Sequence, residues 1–241
     1  KTCRVRRDES AEGRSVFFGQ EVHEVFRAIV LLCCVVVIPV YGYSAGVELL
    51  KISDPLDGDP FWFLAGALLA WTAYLLRPVS LLRLVLLHEL SHSLVGWLLG
   101  ARVVEIDASG QSGGKTIYDY PFTRGRELIA LAPYYLQIVP LLLVALKTIV
   151  RTSFHPALSF AVGFAWLGFF FDLWITLKAE QTDILKTGAV FSSIVIFAAN
   201  IVVSGVVLTS VSSATSPLAF LWTGVPKEIW GELFARLSTV F

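Results

Sequence analysis

The chain has 241 residues, 56% of them hydrophobic and 16% charged, with a mean hydropathy of +0.71. A soluble domain carries about 25% charged residues, so this balance argues against an ordinary water-soluble domain and for a membrane protein. The 19 basic and 19 acidic residues cancel, which gives no basis for a nucleic-acid partner. Two of the three cysteines, Cys33 and Cys34, fall inside an apolar run, so neither a disulfide framework nor a cysteine-rich zinc site can be read from them. The chain opens on Lys1 and contains no methionine, so Lys1 is not expected to be the translation start.

Residues 1–27 carry Arg4, Arg6, Arg7, Arg14 and Arg27 and show little periodicity before Val22, which reads as a polar N-terminal tail. Residues 28–47 are uncharged and long enough to cross about 30 Å of hydrocarbon, with Pro39 as a kink. The loop 48–60, with Glu48, Asp54, Asp57 and Asp59 among turn-forming Pro and Gly, is expected in water. Residues 61–76 form a second apolar run, broken by Arg77-Pro78, and residues 81–100 a third, with Gly100 as its stop signal.

Between 101 and 126 the pattern changes. Two β-prone pieces, 103–107 and 115–118, flank a Ser/Gly-rich turn, which predicts a short hairpin. It is either a structural hairpin or an edge strand for holding an unwound substrate by strand addition. Residues 128–146 predict a fourth span bent by Pro133 and Pro140, residues 156–177 a fifth that contains Asp172, and residues 188–211 a sixth. A polar knot at 178–183 separates the last two. The tail 226–241 places Ile229, Trp230, Leu233, Phe234 and Leu237 on one face, as an interfacial amphipathic helix does.

The expected architecture is therefore an all-α membrane protein of about six transmembrane helices, with a β-like hairpin and an amphipathic C-terminal helix. Its membrane domain spans residues 28–225. An N-terminus inside the cell would place most of the Lys and Arg on the inner side, so cytoplasmic termini and the cell membrane are expected. Nothing in the pattern bears on oligomeric state.

The chemistry centres on His88-Glu89-Leu90-Ser91-His92 in the third run. Helical residues four apart share a face, so His88 and His92 can hold one metal ion, and Glu89 is placed to take a proton from the attacking water. Imidazoles and a carboxylate in hydrocarbon are costly, which marks them as functional. A hydrolytic zinc needs a third protein ligand. His23 and His155 lie in flanking segments, Asp172 lies within the fifth run, and Asp183 lies in the polar knot, where the chain can turn into a protein-lined cavity.

The helical His-Glu-Leu-Ser-His, followed by a glycine-bearing β-like loop, a helix and a late aspartate, resembles the site-2 protease family of intramembrane zinc metallopeptidases. The resemblance is to its divergent multi-pass members, and it covers roughly residues 81–190. It implies Zn2+ held by two His and one later Asp, with the motif Glu as general base and a membrane-embedded protein as substrate. The family's usual Asn-x-x-Pro stretch and Leu-Asp-Gly are missing. In their place stand Phe171-Asp172-Leu173 and Gln181-Thr182-Asp183-Ile184. The resemblance thus carries the ligand role to Asp183 and the supporting position, or the alternative ligand, to Asp172. Two other readings compete with the protease: a non-proteolytic zinc-binding scaffold or regulator, and, less favoured, a transporter.

Overall fold

The computed structural model describes residues 9–53, 58–76, 80–109, 113–119, 125–178, 181–212 and 216–223. The predicted amphipathic helix at 226–241 lies outside them. The described elements are α1 (Glu9–Ser53), α2 (Gly58–Leu76), α3 (Leu81–Leu98), β1 (Arg102–Ser109), β2 (Gly113–Asp119), α4 (Arg126–Ala130), α5 (Ile138–Ile149), α6 (His155–Lys178), α7 (Thr182–Thr187), α8 (Ala189–Ser212) and α9 (Pro217–Thr223). Single 3-10 turns at Ala132–Tyr134 and Thr152–Phe154 precede α5 and α6. α1 reaches back to Glu9, so most of the segment that reads as a polar tail is helical.

Four described helices are long and apolar enough to cross a bilayer: Glu24–Ile52 within α1, then α2, Thr152–Lys178 including α6, and α8. Their outward faces carry exposed side chains such as Leu32, Val35, Leu68, Leu75, Trp174 and Phe197, which suit lipid and would not suit water. The protein is a helical membrane protein with one small hairpin. α8 is the most enclosed of the four and packs Phe191, Val195 and Ile196 against Cys34 of α1, and Val207 and Val211 against Phe63 and Val162 of α2 and α6. α2 and α6 cross with their backbones touching. A Cβ on Gly66 would stand 1.9 Å from the Phe160 carbonyl oxygen, and one on Gly163 2.0 Å from that of Phe63, so only glycine fits at either point.

Of the six expected spans, four correspond to helices of spanning length among the described residues. The predicted fourth span is broken into α4, a 3-10 turn and the short α5. Pro133 sits at the start of the 3-10 turn and Pro140 in the first turn of α5, where a missing N–H costs nothing, and neither fits inside one continuous helix. Ion pairing then shows how the chain runs. Lys147 at the end of α5 lies 2.7 Å from Asp59 at the start of α2 and donates to the Ser210 carbonyl near the end of α8. The contact sets the end of α5 beside the start of α2 and the end of α8.

α3 itself starts at a serine cap, with Ser80 accepting from the Arg83 N–H. It stops at Gly100, whose φ of +81° is the left-handed conformation. Gly100 N–H bonds the Trp97 carbonyl at 3.0 Å and Ala101 N–H the Gly96 carbonyl at 2.8 Å, the two bonds of a glycine-terminated helix end. The strands β1 and β2 pair antiparallel from Arg102–Asp119 to Ser109–Gly113, with an irregularity between Val103 and Glu105. The predicted hairpin is present.

Candidate metal centre

α3 turns two faces to two environments. Leu82, Leu86, Leu90 and Trp97 are exposed on its outer side, whereas Glu89, Ser91, His92 and Ser93 are buried. The serines satisfy themselves along the helix, Ser91 Oγ donating to the Leu87 carbonyl at 2.7 Å and Ser93 Oγ to that of Glu89 at 2.8 Å. That leaves the imidazoles and the carboxylate free for other partners.

Asp183 meets them from α7, across the whole length of α4 to α6. Its Oδ2 lies 3.6 Å from Nε2 of His88 and 3.5 Å from Nε2 of His92. The three donor atoms fall within 4.8 Å of one another. Ligands at about 2.0–2.2 Å from a tetrahedral zinc stand about 3.3–3.5 Å apart, so the aspartate–histidine spacings suit that ion. Burial alone raises the Asp183 carboxyl, and the two imidazoles facing it outweigh burial and hold it below the ordinary carboxylate range.

Neighbouring groups fix these side chains. His92 Nδ1 lies 2.8 Å from the Ile129 carbonyl and can only donate there, which fixes the ring and turns Nε2 towards Asp183. Thr116 of β2 donates to Oε2 of the buried Glu89 at 2.6 Å. Tyr134 stands with its ring perpendicular to His88 at 5.6 Å and donates to Gln181 Oε1 at 3.1 Å. Gln181 Nε2 in turn reaches the Thr176 carbonyl at 3.1 Å and so ties the start of α7 to the end of α6. At the other end of α7 the Arg27 guanidinium donates to the Thr187 carbonyl.

Asp172 goes elsewhere. It accepts from Arg83 Nη2 at 2.7 Å and from the Tyr74 hydroxyl at 2.7 Å, and Arg83 also donates to that hydroxyl at 2.6 Å. This cluster joins α2, α3 and α6 and lies outside the His88, His92 and Asp183 group. His155 faces Asp59 at the opposite end of the bundle, with Nδ1 4.0 Å from the carboxylate, and the side chain of His23 lies outside the described residues.

The residue pattern did not single out Thr116, Ile129, Tyr134 or Gln181. A threonine on a strand does not announce which face it uses, and a backbone carbonyl has no sequence signature. Tyr134 sat beside Pro133 in what read as a membrane span.

Fold and site together define a polytopic helical membrane protein with two histidines and an aspartate grouped as a metal could use them, beside a buried glutamate. Residues 61–241 match the Peptidase M50B-like family, and the chain belongs to it. That membership agrees with the likeness to site-2 proteases. No curated protein and no solved structure matches the chain.

Proposed function

We propose that the protein is an intramembrane zinc metalloprotease, with His88, His92 and Asp183 as the zinc ligands and Glu89 as the general base. The observation that carries this is the convergence of Asp183 on the histidine pair, because a carboxylate from a distant helix has no packing reason to sit between two imidazoles. The donor set fits zinc: three nitrogen and oxygen ligands, one histidine tautomer already set by a carbonyl, and aspartate–histidine spacings near those of a tetrahedral ion. Bound zinc supplies Lewis acidity, which makes water a nucleophile near neutral pH and polarises a carbonyl oxygen.

The chain's own residues do the rest. Glu89 takes the proton of the attacking water and returns a proton to the leaving amine, a two-way task suited to a carboxylate. Thr116 holds that carboxylate by one oxygen, which restricts its rotation. The substrate is a membrane-embedded segment, and its helix must open locally, since a helical peptide bond is already occupied by its own hydrogen bonds.

A Glu89→Gln variant tests the assignment. It should retain zinc at the level of the unchanged protein and lose cleavage of a membrane-embedded reporter. Cleavage at an unchanged rate in that variant would remove Glu89 from the mechanism and the protease reading with it. A scaffold that only binds zinc has no need of the Glu89–Thr116 contact, so its presence favours an enzyme.

A further inference from the structure

A cleft of about 150 Å³ opens beside His88. One face of α3, with Leu84, Leu87 and His88, forms one wall, and one face of α6, with Phe164, Ala165 and Phe169, forms the other. The broken segment between Pro133 and Pro140 lies along it, and Arg83 and Asp172, bonded to each other, bridge the walls at one end. We infer that this cleft receives the side chain next to the scissile bond of the substrate and selects a large apolar one, from leucine to phenylalanine in size. The inference rests on the protease reading and names the feature by which that site would choose among substrates.

Size, lining and position all point to this occupant. An apolar cavity of about 150 Å³ holds a benzene-sized group, and a helix about 10–12 Å across does not enter it. The occupant is therefore one side chain and not a packed helix. The walls are mostly carbon, so a charged or strongly polar group would lose its water without gaining a partner. His88 lines the cleft and also faces Asp183, so a chain whose carbonyl sits at the metal centre has its neighbouring side chain at the cleft mouth. Arg83 precedes His88 by five residues, about 7.5 Å along the helix, and its bond to Asp172 closes the space after roughly one side-chain length. A long acyl chain, the other apolar candidate in a membrane, would be stopped by that bridge.

Zinc-chelating amino-acid hydroxamates test this without a known substrate. The probes are the N-acetylated hydroxamates of glycine, alanine, leucine and phenylalanine, titrated against the full chain in detergent with its zinc content measured in parallel. The leucine and phenylalanine probes should bind at least about tenfold more tightly than the glycine probe. Ala165→Phe, which fills the cleft, should remove that advantage and leave glycine-probe affinity and zinc content unchanged. Phe169→Ala, which enlarges the cleft, should extend the preference to a naphthylalanine probe. Equal affinity across the series in the unchanged protein, or the same order of affinities in both variants, would overturn the inference. So would an advantage of the larger probes that survives His88→Ala, since that would mark lipid-like binding independent of the metal. A chain that retains no zinc and binds no probe refutes the metalloprotease reading, and the inference with it, whereas equal affinities refute the cleft alone.

Discussion

Replacing Asp183 by alanine separates the two aspartates that the residue pattern offers as the third ligand. Asp183 faces His88 and His92 at 3.6 and 3.5 Å, whereas Asp172 is engaged by Arg83 and Tyr74 at 2.7 Å each. Structural zinc sites with four ligands bind with roughly 10–16 kcal/mol, so one ligand contributes on the order of 2.5–4 kcal/mol if the total is shared evenly. Losing one of three protein donors should therefore weaken zinc binding by about 100- to 1,000-fold. Asp172→Ala breaks the Arg83 bridge and leaves all three donors in place, so zinc affinity should stay within a few-fold of the unchanged protein. The assay is zinc per chain after dialysis against a graded series of zinc-buffered chelator solutions. Elution volume in detergent and near-ultraviolet dichroism show that each variant is folded. Full zinc retention by folded Asp183→Ala, or selective loss in Asp172→Ala, would refute the assignment.

Three further outcomes follow from contacts already described. Thr116→Val keeps the shape of the residue but removes the 2.6 Å hydrogen bond to the Glu89 carboxylate; bonds to charged groups contribute about 1.5–3 kcal/mol, so reporter cleavage should fall at least about tenfold with zinc content unchanged, and Thr116→Ser should restore it. If Thr116→Val cleaves normally, the hydroxyl does not position Glu89. Gly163→Ala puts a methyl group 2.0 Å from the Phe63 carbonyl oxygen and should cost about 1–3 kcal/mol by forcing α2 and α6 apart, read as a lower melting temperature; an unchanged one would mean that the crossing is looser than described. Lys147→Met leaves Asp59 without its buried partner and should destabilise the fold by about 3–5 kcal/mol, while adding Asp59→Asn should recover much of that; no recovery would show that the pair is not what joins α5 to α2.

The helices that end in clear chemical signals were legible from the residues alone. Gly100 stops α3, Pro78 lies between α2 and α3 in the sequence, and the two β-prone pieces pair as a hairpin. The spacing of His88 and His92 likewise announced a shared face. The path of the chain across the membrane was not legible, because hydropathy measures how well a segment tolerates lipid and not whether it crosses. Residues 128–146 are uncharged and would suit a span, yet Pro133 and Pro140 divide them into α4, a 3-10 turn and α5. The choice between Asp172 and Asp183 was hidden for a related reason. Both stand near the end of α6, and what separates them is the position of Arg83 on another helix.

The source of Asp183 has a consequence for how the protein matures. His88 and His92 are present once α3 is made, but α7 follows only after the hairpin, α4, α5 and α6. On the proposed assignment, a chain stopped anywhere in between would hold the histidine pair without Asp183 and so would have little hold on a metal. High-affinity metal capture would therefore coincide with completed tertiary closure, and the ion would act as a clasp between an early and a late part of the chain. Each equivalent of bound metal would then favour the closed chain over any state in which α7 has come away from α3. On the same assignment this arrangement would guard against misplaced hydrolysis during synthesis, because Glu89 would acquire a competent nucleophile only when the bundle that encloses it is finished.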